Sequence, residues 1–238
     1  MKKSIGILGG MGPLATADLF RKIVLLTGAA CDNDHIRIYI DDNASIPDRT
    51  AAILHGGPDP LPAMTDSLRK LEACGADCLI MPCNTAHYFL PHLQALTAIP
   101  FLSMLEATAR ACREKFPGKA AAVLATQGTL SAGLYQDALS GEQVPFLVPG
   151  GAEQEALMRV IYGGVKAGRP PESYRADMEM VLDRLAAQGA DYFILGCTEL
   201  PLAASLLGLS VPTVDPTSEL ARAAIRFCGY PVNPAAIL

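Results

Sequence analysis

The sequence lacks a disulfide framework, a dominant charge sign, a bilayer-length apolar run and a low-complexity linker. Its seven cysteines are an odd number without compact spacing. With no secretion signal they are expected to be reduced thiols in a cytoplasm. Lys2 and Lys3 precede an apolar stretch, but Gly9-Gly10-Met11-Gly12-Pro13 cuts it, and Asp18, Arg21 and Lys22 follow. The uncharged stretch from Leu200 to Val214 holds two prolines and is too short to span a bilayer. Net charge is −5 with both signs scattered, which argues against nucleic acid and acidic membranes as partners. A small anionic substrate would need a locally positive site. His35, His55 and His92 show no ligand spacing, so no metal site is expected. The glycine stretch misses the G-x-G-x-x-G spacing, and no Walker lysine follows it.

What is present is a repeat. Gly75-Ala76-Asp77-Cys78-Leu79-Ile80-Met81-Pro82-Cys83-Asn84-Thr85 returns as Gly189-Ala190-Asp191-Tyr192-Phe193-Ile194-Leu195-Gly196-Cys197-Thr198-Glu199, at a constant offset of 114. Gly12 and Gly128, each in a turn after an apolar run, are 116 apart. Ile99-Pro100-Phe101 and Val211-Pro212-Thr213 are 112 apart. Strand-length runs at Ser4–Leu8, Ile36–Ile40, Cys78–Met81 and Ala120–Leu124 alternate with helical patterns. Among those helices, Ala15–Leu26 follows the first turn. Met64–Ala73 carries Leu68 and Leu71 on one face, and Met178–Gln188 carries Leu182 and Leu185 in the same places. The pattern predicts two similar α/β domains, each a parallel sheet flanked by helices, related by pseudo-two-fold duplication. The expected spans are 1–98 plus 213–238 for the first and 99–212 for the second. Ligands of parallel sheets sit beyond the carboxyl ends of the strands, so the site is expected in the cleft between the domains.

Cys83 and Cys197 stand where a strand ends and a helix is expected to begin. Backbone N–H groups and a helix dipole favour a thiolate there. An unperturbed thiol is only about 3% ionised at pH 7. Two neighbouring thiolates repel, so such a pair tends to hold one proton between them. Thiolate plus thiol is what a two-base proton transfer needs. A buried cysteine is ordinarily a small hydrophobe, but the duplicated setting favours chemistry here. Cys31, Cys74, Cys78, Cys112 and Cys228 lack that setting and read as packing. The glycine loop suits close approach of backbone to a small ligand. Arg49 and Lys166, taken alone, read as surface charges, with Asp48 and Glu199 as caps or as their partners. His87 is either a neighbour of the chemistry or a residue of the first helical turn.

Gly9-Gly10-Met11-Gly12-Pro13-Leu14-Ala15-Thr16, Ile46-Pro47-Asp48-Arg49-Thr50, Met81-Pro82-Cys83-Asn84-Thr85-Ala86-His87 and Gly196-Cys197-Thr198-Glu199 resemble the aspartate/glutamate racemase superfamily, in its aspartate racemase branch. Glutamate racemases of that superfamily usually open with an Asp-Ser-Gly loop and carry His after the second Cys-Thr. Here Gly10-Met11-Gly12 and Glu199 stand instead. The resemblance implies racemisation of aspartate without pyridoxal phosphate or other cofactor, with Cys83 and Cys197 as acid and base. It implies that Asn84, Thr85 and Thr198 hold the α-carboxylate, and that Arg49 and Lys166 hold the side-chain carboxylate. Thr126, Gln127 and Met11 are further substrate-binding candidates. It also implies a homodimer. The alternatives are a glutamate, broad-specificity or hydantoin racemase or a maleate isomerase of the same fold. Outside catalysis they are an amino-acid-binding protein or a redox or structural protein.

Overall fold

The computed structural model describes residues 2–233. Among the described residues there are seven strands, β1 Ile5–Gly9, β2 Ile38–Asp42, β3 Cys78–Ile80, β4 Ala121–Ala125, β5 Phe146–Leu147, β6 Tyr192–Gly196 and β7 Thr213–Val214. The α-helices are α1 Pro13–Leu26, α2 Arg49–His55, α3 Leu61–Ala73, α4 Leu90–Gln94, α5 Met104–Lys115, α6 Gln127–Ser131, α7 Leu134–Gly141, α8 Gly151–Met158, α9 Arg175–Ala187, α10 Leu200–Leu207 and α11 Pro216–Phe227. They flank two separate parallel sheets, ordered β2-β1-β3 and β5-β4-β6-β7. Among the described residues no helix is long and apolar enough to cross a membrane.

The chain divides into two compact units. One runs through Ala107 and resumes at Thr217; the other is Thr108–Pro216. Both edges lie beyond those expected from the sequence, for a reason visible in the backbone. The Leu79 N–H donates to Pro100 O (2.9 Å), and Leu79 pairs with Phe101 in parallel. Residues 99–107 therefore stay with the first sheet. In the other unit the Phe193 N–H donates to Pro212 O (3.0 Å), and Phe193 pairs with Thr213. Residues 213–216 therefore stay with the second sheet.

The repeat offsets are sheet registers. Ile5 pairs with Cys78 in the first sheet and Ala121 with Tyr192 in the second. The acidic turn also does one job twice. Asp77 Oδ2 accepts from the Ser4 N–H (2.7 Å) and Asp191 Oδ2 from the Ala120 N–H (2.8 Å), just before β1 and β4. These hydrogen bonds hold both carboxyls below the usual carboxylate range.

Cores follow from the two-residue period of strands. Ile5, Ile7, Cys78 and Ile80 face Leu19, Ile23 and Leu26 of α1, with Leu220, Ala224 and Ile225 of α11. Leu8, Leu79 and Met81 face the opposite way, onto Met64, Leu68 and Leu71 of α3. In the second unit Leu182 and Leu185 of α9 are buried with Leu124, Phe193 and Leu195. Two cysteines read as packing are not buried: Cys31 and Cys74 are exposed. Each stands outside the strands and α-helices, in a connecting segment where a small apolar side chain has no sheet to cover.

His87 connects the end of β3 to α5. Its Nε2 accepts from the Met104 N–H (3.0 Å), which places the ring proton on Nδ1, and Nδ1 donates to Cys83 O (2.9 Å). Burial pulls its pKa down to about 4, only partly opposed by the Cys83 and Asn84 backbone. His87 is therefore a neutral strut, with both nitrogens engaged, rather than a proton carrier. Between pH 6.5 and 4 the unfolded chain binds a proton that the folded chain refuses. Stability is expected to fall as pH drops across that window, by up to about 3 kcal/mol. His87→Gln keeps one donor and one acceptor but does not titrate. Urea unfolding from pH 7 to 4 should show a shallower loss in the variant than in the parent; equal slopes would refute this account.

Candidate functional site

In the first unit the candidate residues stand at the carboxyl ends of β1 and β3. Beyond β3 come Met81, Pro82 and then Cys83, buried in an apolar cluster with Leu8, Met11, Ile46 and Met81. Asn84 and Thr85 follow and are also buried. A helix was expected here. The structure has a 3-10 segment, Thr85–Phe89, and then the five-residue α4. The alignment of peptide dipoles after Cys83 is accordingly short.

The glycine loop is shaped by its own chain. Gly10 has φ of 86°, and a Cβ on it would lie 2.2 Å from the Asn43 carbonyl carbon. Its N–H donates to Thr16 Oγ1 (2.9 Å). The need for glycine at this position therefore comes from packing against 43–44, not from approach to a ligand. Arg49, the first residue of α2, lies buried beneath the loop. One terminal nitrogen donates to Ile46 O (3.1 Å) and Pro47 O (2.9 Å), the other to Met11 O (3.2 Å). The reading of Arg49 as a solvated surface charge is thus corrected: three carbonyls hold the guanidinium in the fold. Its buried Nε–H has no hydrogen-bond partner among the described residues. Asp48, left open as cap or partner, caps α2 by accepting from the Ala51 N–H (2.7 Å).

In the second unit the candidate residues stand at the carboxyl ends of β4 and β6. Gly196 ends β6, and a Cβ there would meet Tyr135 Cε2 at 2.9 Å. The strand can thus press against the buried Tyr135 ring and deliver Cys197 immediately afterwards. The Cys197 Sγ–H donates to Glu199 Oε2 (2.9 Å), and the Thr198 hydroxyl donates to the same oxygen (3.3 Å). Glu199 Oε1 faces Lys166 Nζ at 3.4 Å. Lys166 follows the π-helical segment Arg159–Val165, and its ammonium also lies 5.1 Å from the Tyr162 ring centroid. Glu199 is thus the partner of Lys166, and Lys166 already carries a carboxylate.

Burial pushes the Cys197 thiol well above its usual pKa. The Glu199 charge and hydrogen bond add to this, while Lys166 opposes it. Burial and the Glu199 carboxylate therefore favour the protonated form of Cys197, against the thiolate that a strand-end setting alone would favour. The helix after it begins only at Leu200, too far along the chain to outweigh burial and a carboxylate at 2.9 Å.

Thr126 caps α6, its Oγ1 accepting from the Thr129 N–H (3.3 Å). Gln127 is exposed, and its amide donates to Ser131 Oγ (2.9 Å). Both lie just past β4, as Met11 lies just past β1. The structure therefore gathers Met11, Arg49, Cys83, Asn84 and Thr85 in one unit, and Lys166, Cys197, Thr198 and Glu199 in the other. The Gln127 backbone N–H also donates to Met158 Sδ (3.4 Å). Glu199 is the residue whose role the sequence under-read. Its signal is a carboxylate two places after a thiol whose twin, Cys83, has Thr85 at that place.

Residues 8–224 match the sequence profile of the Asp/Glu/Hydantoin racemase family. The chain is 30% identical over 227 residues to the broad specificity amino-acid racemase RacX of Bacillus subtilis, covering 93% of this chain and 96% of that protein. It is 29% identical over 199 residues to a glutamate racemase of Corynebacterium glutamicum, covering 79% of this chain and 68% of the relative. Among solved structures it is similar to the Picrophilus torridus aspartate racemase, with a TM-score of 0.85, 30% identity, and 97% and 96% of the two chains covered. On this profile match, and on likeness running nearly end to end, the chain belongs to the Asp/Glu/Hydantoin racemase family and is an amino-acid racemase, an isomerase, of that family.

Proposed function

We propose that the protein interconverts L- and D-aspartate without a cofactor, using Cys83 and Cys197 as the two proton-transfer groups. One observation carries this reading: the two cysteines occupy equivalent places past β3 and β6, strands paired identically to β1 and β4. Likeness to an aspartate racemase over nearly the whole of both chains supports the substrate. Likeness to a broad-specificity racemase supports a second reading, in which aspartate is one of several substrates.

In this mechanism one thiolate removes the α-proton and the other thiol returns a proton to the opposite face of the carbon. The raised pKa of Cys197 suits it to the thiol role at the start of a cycle, with Cys83 as the second proton-transfer group. After one turnover the roles are reversed. A Cys197 thiolate beside the Glu199 carboxylate is costly, which drives it to regain a proton. Asn84, Thr85 and Thr198, polar residues next to the thiols, stabilise the α-carboxylate as charge builds on it. Lys166 and the Arg49 Nε–H serve the side-chain carboxylate. Substrate binding and catalysis take place at the strand ends, and the protein works as a homodimer in the cytoplasm.

Cys83→Ser and Cys197→Ser should each lose racemisation by about 10²–10⁴-fold. Serine fills the site and passes on a proton, but it is a far weaker base. Each variant should therefore retain exchange on one enantiomer, and the two should retain opposite ones. Deuterium wash-in at Cα, run separately on D- and L-aspartate, reads this. Near-parent rates in both variants, or the same surviving enantiomer in both, would exclude the two-thiol mechanism.

Lys166→Met should cost aspartate roughly 10- to 150-fold in kcat/KM, the scale of about 1.5–3 kcal/mol for a charged hydrogen bond, and should leave alanine nearly untouched. Arg49→Met also frees the Met11, Ile46 and Pro47 carbonyls, so it should harm every substrate. Equal losses on aspartate and alanine in Lys166→Met would remove Lys166 from the side-chain site. Faster turnover of alanine than aspartate by the parent would reject aspartate as the main substrate.

A further inference from the structure

We propose that Glu199 determines specificity by competing with the substrate side-chain carboxylate for Lys166. The inference rests on the reading of Lys166 as the side-chain cation. It starts from how the Glu199 carboxylate is divided. Oε2 accepts from the Cys197 thiol (2.9 Å) and the Thr198 hydroxyl (3.3 Å), and Oε1 faces the Lys166 ammonium (3.4 Å). The Glu199 side chain is 14% exposed and that of Lys166 28%, so the pair is partly shielded from solvent.

A ligand with a neutral side chain leaves this pair intact. A dicarboxylate brings a second anion to one ammonium, and like charges at that range oppose each other. Glu199 therefore sets a threshold that an acidic side chain must overcome. The same carboxylate holds the proton on Cys197. Drawing Lys166 toward a ligand weakens the one charge that opposes that hold, so Cys197 keeps its proton more firmly when an acidic substrate is bound. The groups set against the Cys197 thiol are Glu199, Lys166 and, from α7, the Tyr135 phenol.

The test uses succinate, a dicarboxylate without the α-amino group, on the full-length protein. Calorimetry should show succinate binding about 2- to 5-fold tighter in Glu199→Gln than in the parent, the scale of one partly exposed ion pair. It should be clearly weaker in Lys166→Met. Iodoacetamide alkylation of Cys197 across pH, followed by peptide mass spectrometry, should have a lower midpoint in Glu199→Gln. In the parent, saturating succinate should raise that midpoint, a measurement that needs no variant. If Lys166→Met binds succinate as the parent does, the reading of Lys166 as side-chain cation fails. If binding depends on Lys166 but Glu199→Gln does not tighten it, or if the Cys197 midpoint moves with neither Glu199→Gln nor succinate, the role of Glu199 is overturned.

Discussion

Parallel hydrogen bonding of β3 onto β1, and of β6 onto β4, is the constraint on which the rest of the structure depends. Parallel strands share one carboxyl end, so whatever follows them emerges on the same edge of the sheet. Ile5 opposite Cys78 and Ala121 opposite Tyr192 fix where each strand stops, and hence where each cysteine stands. A one-residue slip would turn Ile5 and Ile7 away from α1 and α11 and leave their core unfilled. Asp77 and Asp191 pin the other ends of the same pairs through the backbone before β1 and β4. The position of each thiol is thus set by burial and backbone pairing that involve no chemistry of sulfur.

Burial at those strand ends then decides the electrostatics. A thiol removed from water resists ionisation, and Cys197 is both buried and hydrogen-bonded to a carboxylate. The two units answer the cost of buried charge differently. In the first, Arg49 is surrounded by carbonyl oxygens of the segments around it, which solvate the cation without cancelling its charge. In the second, Lys166 is met by a full opposite charge on Glu199. In the first arrangement the guanidinium is met by neutral dipoles; in the second the ammonium is met by an opposite charge.

How much of this could be read from the sequence depends on the kind of interaction. The repeat at near-constant offsets was legible because strand pairing preserves spacing, and the three matched segments became equivalent positions in the two sheets. The amphipathic faces of Leu68, Leu71, Leu182 and Leu185 were legible for the same periodic reason. β2 was expected at Ile36–Ile40 and runs Ile38–Asp42. Ile36 is buried before the strand begins, while Asp41 and Asp42 pair with Leu8 and Gly9 at its end. Hydropathy marks burial, and here burial and backbone pairing are out of step by two residues. The 3-10 segment after Cys83 was missed because the His87 bridge to Met104 depends on contacts distant in sequence.

The side-chain partners were the least legible part, and Glu199 shows why. Its spacing from Cys197 was plain, but its effect depends on which oxygen faces which neighbour. Lys166 arrives from a segment more than thirty positions earlier, after a π-helical stretch that no periodicity announces. A site built from one thiol, one carboxylate and one ammonium has different chemistry for each pairing among them. With the carboxylate shared, the thiol keeps its proton and the ammonium is already satisfied. On the proposed role of Lys166, the charge of an acidic substrate would act on Cys197 through it, so selection of the side chain and control of the Cys197 proton would be one electrostatic problem.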